Sequence, residues 1–297
     1  MEKFIRYSFK FAATVIVSIA ILVVATGLYA RYAVNFKISQ EINILVLGNS
    51  HPECAIDDSL LPNIFNLAQS GSGYFYDYVK AKHLLKNNSQ VDTLILGYAY
   101  GDIGKDMDLW FSGEERIKFK IRNHFFLFDL EDYLAMLKAN PIATILNTPQ
   151  TIFHNLKMSK FGISGLGGYK RLTRNKLEVA KDRNEMGSLP ESAGLSQYQT
   201  KYLRKIYQLC DENMVQLVLL ATPMHPMKVK HQELQLAQYC GFAKEQMPNA
   251  ILIDHTRFKV PEKDYADLAH LNYKGALRYS EYLKKIRFNH PVTDCNK

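Results

Sequence analysis

The chain has 297 residues, of which 47% are hydrophobic, and this composition excludes an intrinsically disordered protein. Its formal net charge of +8 fits a surface near anionic lipid or an acidic polymer. The basic residues are scattered through the chain, and no recognisable nucleic-acid-binding motif accompanies them. We therefore expect no nucleic-acid partner.

An apolar segment lies near the start of the chain. Residues 11–30 contain no charge, and a helix of this length, at about 1.5 Å per residue, matches the roughly 30 Å hydrocarbon layer of a membrane. Lys3, Arg6 and Lys10 precede it, which predicts that residues 1–10 stay in the cytoplasm. We predict an uncleaved single-pass transmembrane anchor over residues 11–33, with the rest of the chain on the periplasmic or outer side. A cleaved signal sequence is the alternative, although the segment is long for one and ends in a poor cleavage site.

Short apolar runs alternate with helical patterns after the anchor. The runs are residues 42–48, 92–98, 215–222 and 250–254, as expected for parallel strands covered on both faces. Apolar residues recur at helical spacing over residues 74–85, 198–210 and 276–286. This alternation predicts an α/β fold with a parallel sheet. Ligands bind such sheets outside the carboxyl ends of the strands, and Ser50 follows the first predicted strand.

Residues of about 105–197 interrupt this alternation within a predicted domain that covers 42–290. They contain the aromatic segment HFFLFDLEDYLAML and the glycine-bearing tract SKFGISGLGGYKRLTRNK. We interpret them as a helical insertion that forms a lid or a wall of a substrate site. An ordinary helical subdomain is the alternative.

The cysteines do not have the spacing of a metal or redox motif. They are Cys54, Cys210, Cys240 and Cys295, and they allow three pairings. An exported chain could oxidise them, and the sequence does not choose among the pairings.

Ser50 has the setting of a nucleophile, because an apolar strand ends at a Gly-Asn-Ser turn in NILVLGNSHPE, residues 43–53. A serine hydroxyl needs a base within hydrogen-bond distance and a third group that orients the base. His270 follows the last predicted strand and precedes a helix that Asn272 is expected to cap. Asp267 lies three residues earlier, where one turn can present both side chains together. Ser50, His270 and Asp267 are therefore the candidate catalytic residues.

These segments resemble the SGNH hydrolases, also called the GDSL esterase and acyltransferase family. The family's Gly-Asp-Ser motif is matched by Gly48-Asn49-Ser50, with asparagine in place of aspartate, and its Asp-x-x-His motif is matched by Asp267 and His270. The resemblance covers about 42–104 and 198–286. It implies a flavodoxin-like three-layer α/β/α fold and a Ser-His-Asp mechanism.

The resemblance also implies an oxyanion hole, which would use the backbone N–H groups of Ser50 and of Gly71 in NLAQSG. A third family motif, Gly-x-Asn-Asp, should follow the strand at 92–98, where this chain has GYAYGD and no asparagine. Tyr98 or Tyr100 could replace that donor, or no side chain does.

Two further histidines are candidates for contact with a substrate. His51 follows the candidate nucleophile, and His225 follows the strand at 215–222, at the same edge of the sheet. A structural role is the alternative for both. Residues 51–54, HPEC, offer metal-ligand types, but no partner cluster has zinc spacing, so we predict no metal site. The glycine patterns of dinucleotide and P-loop sites are absent, and we predict no cofactor.

An outward-facing, anchored domain of this kind resembles proteins that attach or remove acyl groups, often acetyl, on cell-envelope polysaccharides. Several of these work with a multipass membrane acyltransferase. The resemblance therefore implies an esterase or an O-acyltransferase, and the choice depends on whether water or a sugar hydroxyl reaches the acyl-enzyme. A non-catalytic, membrane-anchored binding or assembly subunit is the alternative, since the third motif lacks its asparagine.

Overall fold

The structure, a computed structural model, describes residues 1–178, 194–286 and 288. The α-helices, α1 to α12 in chain order, are Glu2–Ala33, Ser50–Ala55, Tyr74–Asn87, Leu109–Ser112, Glu114–His124, Leu130–Ala139, Pro141–Asn147, Thr151–Phe161, Gln197–Glu212, Pro226–Gln232, Leu236–Gln246 and Tyr273–Leu283. The strands, β1 to β5, are Ile44–Leu47, Ile64–Asn66, Thr93–Gly97, Gln216–Ala221 and Ile251–Asp254.

The strands form one parallel sheet in the order β2-β1-β3-β4-β5. Helices lie on both sides of it, which confirms the predicted α/β fold with a parallel sheet. This is the flavodoxin-like order, in which the winding direction reverses between β1 and β3 and leaves a crevice outside their carboxyl ends. Ser50 begins the helix that follows β1, so the fold places it at this crevice.

The predicted apolar runs contain four of the strands because each of those strands is buried on both faces. Every residue of β1 is buried, for example, and Val46 belongs to a core cluster with Ile95 of β3 and Val218 of β4. Strand β2 was missed by the sequence analysis. It has only three residues and ends at Asn66, which gives no continuous apolar run.

The three helices predicted from apolar spacing correspond to α3, α9 and α12. Asn272 caps α12 as predicted, since its side-chain oxygen accepts hydrogen bonds from the backbone N–H groups of Lys274 and Gly275 at 2.9 and 3.3 Å. Its amide nitrogen donates to the carbonyls of Lys263 and Tyr265 at 2.7 and 3.2 Å. One side chain thus joins the last helix to the loop that precedes His270.

The chain divides into two compact units. The sheet unit comprises Lys37–Phe111 and Leu166–Lys297, and the N-terminal unit comprises Met1–Phe36 and Ser112–Gly165. The segment of about 105–197, which we interpreted as one insertion, therefore does not fall in one unit. Its central part belongs with the N-terminal helix, residues 166–178 belong with the sheet, and residues 179–193 lie outside the described residues.

Helix α1 packs on other helices of the N-terminal unit. Within the described residues it is the one helix long and apolar enough to cross a membrane. A Cβ atom on Gly27 would lie 3.1 Å from the ring of Phe125, so the small residue lets the two segments approach closely. The Asn155 amide donates to the Thr26 hydroxyl at 3.3 Å, and Arg31 Nε donates to the Phe126 carbonyl at 2.8 Å.

Among the described residues, two cysteines are free thiols and one is disulfide-bonded. Cys54 and Cys210 are buried free thiols, and Cys240 is disulfide-bonded. Cys295 lies outside the described residues.

Candidate active site

The turn between β1 and α2 requires glycine. Gly48 has a φ of +134°, and a Cβ atom there would lie 2.9 Å from the backbone nitrogen of Gly97 and 3.0 Å from Pro52. Asn49 then caps α2, since its side-chain oxygen accepts from the N–H of His51 at 3.0 Å. The Gly48–Gly97 approach therefore fixes Ser50, the first residue of α2, at the ends of β1 and β3.

Asn49 also binds the loop that follows β3. Its amide nitrogen donates to one carboxylate oxygen of Asp102 at 3.1 Å, and the N–H of Ala99 donates to the other at 2.8 Å. Burial raises the pKa of Asp102 to about 7, although these two hydrogen bonds act against that rise. Asp102 was not selected from the sequence. It lies in GYAYGD, the segment without the expected asparagine, and it joins the two neighbouring loops at the crevice.

Ser50, His270 and Asp267 form one continuous hydrogen-bonded chain. Ser50 Oγ lies 2.8 Å from His270 Nε2, and His270 Nδ1 lies 2.8 Å from Asp267 Oδ1. A neutral imidazole with its proton on Nδ1 donates to the carboxylate and accepts from the serine hydroxyl. The structure thus brings together the three side chains that the sequence analysis selected.

Asp267 is held in place by several donors. Its Oδ1 also accepts from the backbone N–H groups of Ala269 and His270 at 3.0 and 2.9 Å, and its Oδ2 accepts from Arg174 Nη2 at 2.8 Å. Burial by itself would raise the pKa of Asp267, but the hydrogen bonds from His270, Arg174 and Ala269 hold that pKa well below its usual range. Asp267 is therefore a carboxylate that can orient an imidazole and stabilise its protonated form.

Arg174 comes from a segment that we call the strap, residues 167–176, and it was not selected from the sequence. The strap bonds to the turn before His270 and to α2: the Lys176 N–H donates to the Ala266 carbonyl at 2.8 Å, and the Lys170 N–H donates to the Glu53 carbonyl at 2.8 Å. In the sequence, Arg174 lies in the basic tract KRLTRNK, and this tract does not show which of its arginines contacts the Asp267 carboxylate.

The strap also lies close to the loop that carries Gly71. A Cβ atom on Gly167 would lie 2.4 Å from the Leu67 carbonyl oxygen, so the two backbones are in direct contact. This position accepts only glycine, since its φ is also +153°. One segment therefore contacts both the loop before His270 and the loop after β2.

The Gly71 loop, residues 67–71, is fixed beside the Gly48 turn. The Gln69 N–H donates to the Gly48 carbonyl at 2.9 Å, and Gly71 has a φ of +69°. The buried Lys80 ammonium of α3 donates to the Leu67 carbonyl at 2.8 Å and pairs with Asp77 at 3.0 Å. The loop that contains the predicted second oxyanion donor is thus held against the turn that contains Ser50.

Tyr98 and Tyr100 do not lie where the oxyanion hypothesis needs them. The Tyr98 hydroxyl donates to the Tyr239 carbonyl at 2.8 Å, and the Tyr100 hydroxyl binds the Asp254 carboxylate and the Thr256 hydroxyl. Both rings are buried in these contacts. The hypothesis that either hydroxyl stabilises an oxyanion is therefore corrected, because both are engaged elsewhere.

His51 lies against the candidate base. The His51 and His270 rings stack with centroids 5.3 Å apart. Burial lowers the pKa of His51 to about 3, and the nearby His270 and Lys228 act in the same direction. His51 Nδ1 is a buried atom without a hydrogen-bond partner among the described residues. A neutral His51 ring therefore supports the His270 ring from one side.

His225 makes contacts that stabilise the fold. It is buried and caps α10, its Nδ1 accepting from the Met227 N–H at 3.3 Å. Its ring packs on Tyr265, and its N–H donates to the Leu268 carbonyl at 3.1 Å. These contacts agree with the structural alternative for His225, and a contact between His225 and a substrate stays a prediction.

The arrangement has the geometry that serine-dependent acyl transfer requires: a hydroxyl, an imidazole and an oriented carboxylate at the crevice of a parallel α/β sheet. Within the described part of the chain, no group of histidine, cysteine, aspartate or glutamate side chains could hold a metal ion.

Comparison with known proteins gives a match to a family model and matches to solved structures. A family model without a descriptive name matches residues 169–290, less than half of the chain. No curated protein matches. Among solved structures, the chain is similar to one described as a platelet activating factor from Streptococcus pneumonia, with 14% identity, 93% of this chain and 97% of that chain covered, and a TM-score of 0.44.

The chain is also similar to a GDSL-like lipase from Bacteroides thetaiotaomicron VPI-5482, with 9% identity, 86% of this chain and 92% of that chain covered, and a TM-score of 0.39. Both scores lie below 0.5. The functional assignment therefore depends on the geometry of the site.

Proposed function

We propose that this protein is a membrane-anchored serine esterase or O-acyltransferase of the SGNH type. The observation that carries the proposal is the unbroken chain from Ser50 Oγ through His270 to Asp267, with 2.8 Å at each of its two links. Such a chain makes a hydroxyl nucleophilic at neutral pH because the imidazole takes its proton as the new bond forms.

In the proposed mechanism, Ser50 Oγ attacks the carbonyl carbon of an ester, and its proton moves to His270 Nε2. The tetrahedral oxyanion is stabilised by the backbone N–H groups of Ser50 and Gly71. The intermediate then collapses, the ester C–O bond breaks, and His270 returns the proton to the leaving alcohol. Asp267 stays ionised throughout and stabilises the protonated imidazole.

The acyl-enzyme is resolved by the reverse sequence. His270 accepts a proton from water or from a sugar hydroxyl, whose oxygen attacks the acyl carbon, and Ser50 Oγ leaves with a proton from His270. Water gives a free carboxylic acid, and a sugar gives a new ester. We propose acyl groups, with acetyl as the expected one, on carbohydrate of the cell envelope as the substrate.

Support for that substrate comes from the N-terminal helix. A helix of 32 residues with Lys3, Arg6 and Lys10 near its N-terminal end would leave the sheet unit on the extracytoplasmic side, where envelope polymers are found. A multipass membrane acyltransferase that passes acyl groups across the membrane is the proposed partner.

The test is labelling of the full-length protein with a fluorophosphonate, which reacts only with an activated serine. We expect wild type to be labelled and Ser50→Ala to lose all labelling, with Ser59→Ala, a serine that pairs with Asp57, as the control that keeps it. Equal failure of wild type and Ser50→Ala, together with unchanged envelope acylation in cells that carry Ser50→Ala, would favour the non-catalytic binding subunit.

A further inference from the structure

The N-terminal unit contains an apolar cavity beside α1. Its volume is about 850 Å³, within the roughly 300–1,000 Å³ of small-molecule sites. One wall comes from α1, between Ile16 and Arg31, and the other comes from residues 125–133 and 145–149. Most of the lining is aliphatic or aromatic, for example Val23, Phe125 and Leu146. The cavity therefore fits an apolar ligand.

The few polar side chains that line this cavity pair with each other. Arg31 Nη1 lies 3.2 Å from Asp129 Oδ1, and the hydroxyls of Tyr133 and Thr148 lie 2.9 Å apart. Because these polar groups are paired with each other, the lining offers a ligand few free hydrogen-bonding groups, and its apolar side chains favour an apolar ligand. The ion pair lies at the Arg31 end, so the cavity has a charged end and an apolar end, as an amphiphile does.

The depth of the cavity in a membrane follows from α1. The α1 residues that line it run from Ile16 to Arg31, about 22 Å along a helix. Residues 16–30 lie inside the uncharged segment that would fill the hydrocarbon layer. The opposite wall must then lie at the same depth, because it faces the same stretch of α1.

The outer faces of the neighbouring helices agree with that depth. Outside the cavity lining, Ile142 of α7 is 71% exposed, Phe153 of α8 is 73% exposed, and Leu134 of α6 is 51% exposed. Helix contacts inside membranes favour small residues, as Gly27 and Ala30 of α1 illustrate here, whereas these exposed residues are bulky. Bulky apolar faces suit lipid better than another helix.

We propose that the N-terminal unit lies in the membrane with its Arg31–Asp129 end at the outer surface, and that its cavity binds an acyl chain of a membrane lipid whose head group lies at that end. The proposal rests on α1 crossing the membrane, as proposed above. It gives the helices of residues 112–165 a role that differs from a lid over the sheet.

The first test places single tryptophans in the full-length protein in a Trp110→Phe background. The protein is reconstituted in phosphatidylcholine vesicles whose acyl chains carry bromine, which quenches tryptophan on contact. We expect Phe126→Trp, at a cavity-lining position that is only 1% exposed, to be quenched to within about twofold of Ile21→Trp, which is exposed on α1 outside the cavity lining. Glu212→Trp, exposed at the end of α9, is the unquenched control.

The quenching results distinguish the proposal that the cavity binds lipid from the proposal that α1 anchors the protein in the membrane. Quenching of Ile21→Trp with no quenching of Phe126→Trp overturns the lipid site and leaves the anchor intact. Absence of quenching at Ile21→Trp overturns the anchor and the lipid site together.

The second test measures occupancy by native mass spectrometry of full-length protein released from detergent. We expect wild type to retain one phospholipid and Ala20→Trp, which fills the cavity, to retain at least fivefold less. Ile21→Trp adds the same side chain outside the lining and should retain lipid as wild type does. Equal retention by Ala20→Trp, or a bound polypeptide in place of lipid, overturns the proposal.

Discussion

Arg174 Nη2 lies 2.8 Å from Asp267 Oδ2, and His270 Nδ1 lies 2.8 Å from the other carboxylate oxygen, Oδ1. An arginine from the strap thus fixes the group that orients the candidate base. The contact makes Arg174 a positioning residue, because it acts on the reaction only through Asp267.

We predict that Arg174→Ala lowers kcat about three- to tenfold with little change in KM, since one partly exposed charge-assisted hydrogen bond is lost. Asp267→Asn should lower kcat by about 10⁴-fold, as loss of an orienting carboxylate does elsewhere. Ester hydrolysis by purified protein gives both values. Arg174→Ala should have no further effect in the Asp267→Asn background, because the partner is already changed. Additive losses would show that Arg174 acts independently of Asp267.

Alanine substitutions at two adjacent glycines test whether the site needs the strap in its observed position. Gly167 and Gly168 have similar φ values, +153° and +148°, so alanine strains the backbone equally at both. Only Gly167→Ala puts a Cβ atom 2.4 Å from the Leu67 carbonyl, whereas at Gly168 the nearest atom is 3.8 Å away. We predict that Gly167→Ala lowers the rate of fluorophosphonate labelling at least fivefold more than Gly168→Ala. Equal effects would mean that docking of the strap does not control the site.

Lys80 should be essential to the stability of the Gly71 loop. Lys80→Met leaves the buried Asp77 carboxylate without its partner, which typically costs about 3–5 kcal/mol. We expect a large fall in the melting temperature, and slower labelling of Ser50 at temperatures where the variant is folded. Lys86→Met, on an exposed position of the same helix, is the control and should change neither.

The lowered pKa of His51 predicts a loss of folding stability in acid. Its pKa is lowered from 6.5 to about 3 in the folded protein, so between these values the unfolded chain binds a proton that the folded chain does not. The free energy of unfolding should therefore fall as the pH drops from about 6.5, by up to about 1.4 kcal/mol per pH unit. His51→Asn removes this contribution. Urea unfolding at pH 7 and 4.5 should show a smaller loss for the variant, and parallel losses would contradict the burial of a neutral ring.

Removal of α1 should not give a freely soluble protein. Gly27 and Thr26 cover Phe125 and Asn155, and a chain without residues 1–33 would expose this surface to water. We expect the truncated protein to require detergent, as judged by gel filtration with and without it. A monomer in plain buffer would show that the helices of residues 112–165 need neither α1 nor lipid.

The sequence by itself determined most of the sheet and the three candidate catalytic residues. Strands buried on both faces are continuous apolar runs, and the order of Ser50 after the first strand and His270 before the last helix follows from the position of such runs in the chain. A short hydrogen-bonding motif such as Asp267 to His270 is local, so its spacing is visible in the sequence. Strand β2 was not recognisable in the sequence, because three residues that end in a polar side chain form neither a continuous apolar run nor a repeated alternation.

Only the tertiary structure decided which distant side chains meet. Arg174 reaches Asp267 across 93 residues, and Asn49 reaches Asp102 across 53, and no local pattern encodes either contact. The same holds for Tyr98 and Tyr100, whose hydroxyls bond to Tyr239 and Asp254. Apolar spacing shows which face of a helix is buried, but not what it is buried against. The packing of residues 112–165 with the N-terminal helix therefore became visible only in the structure.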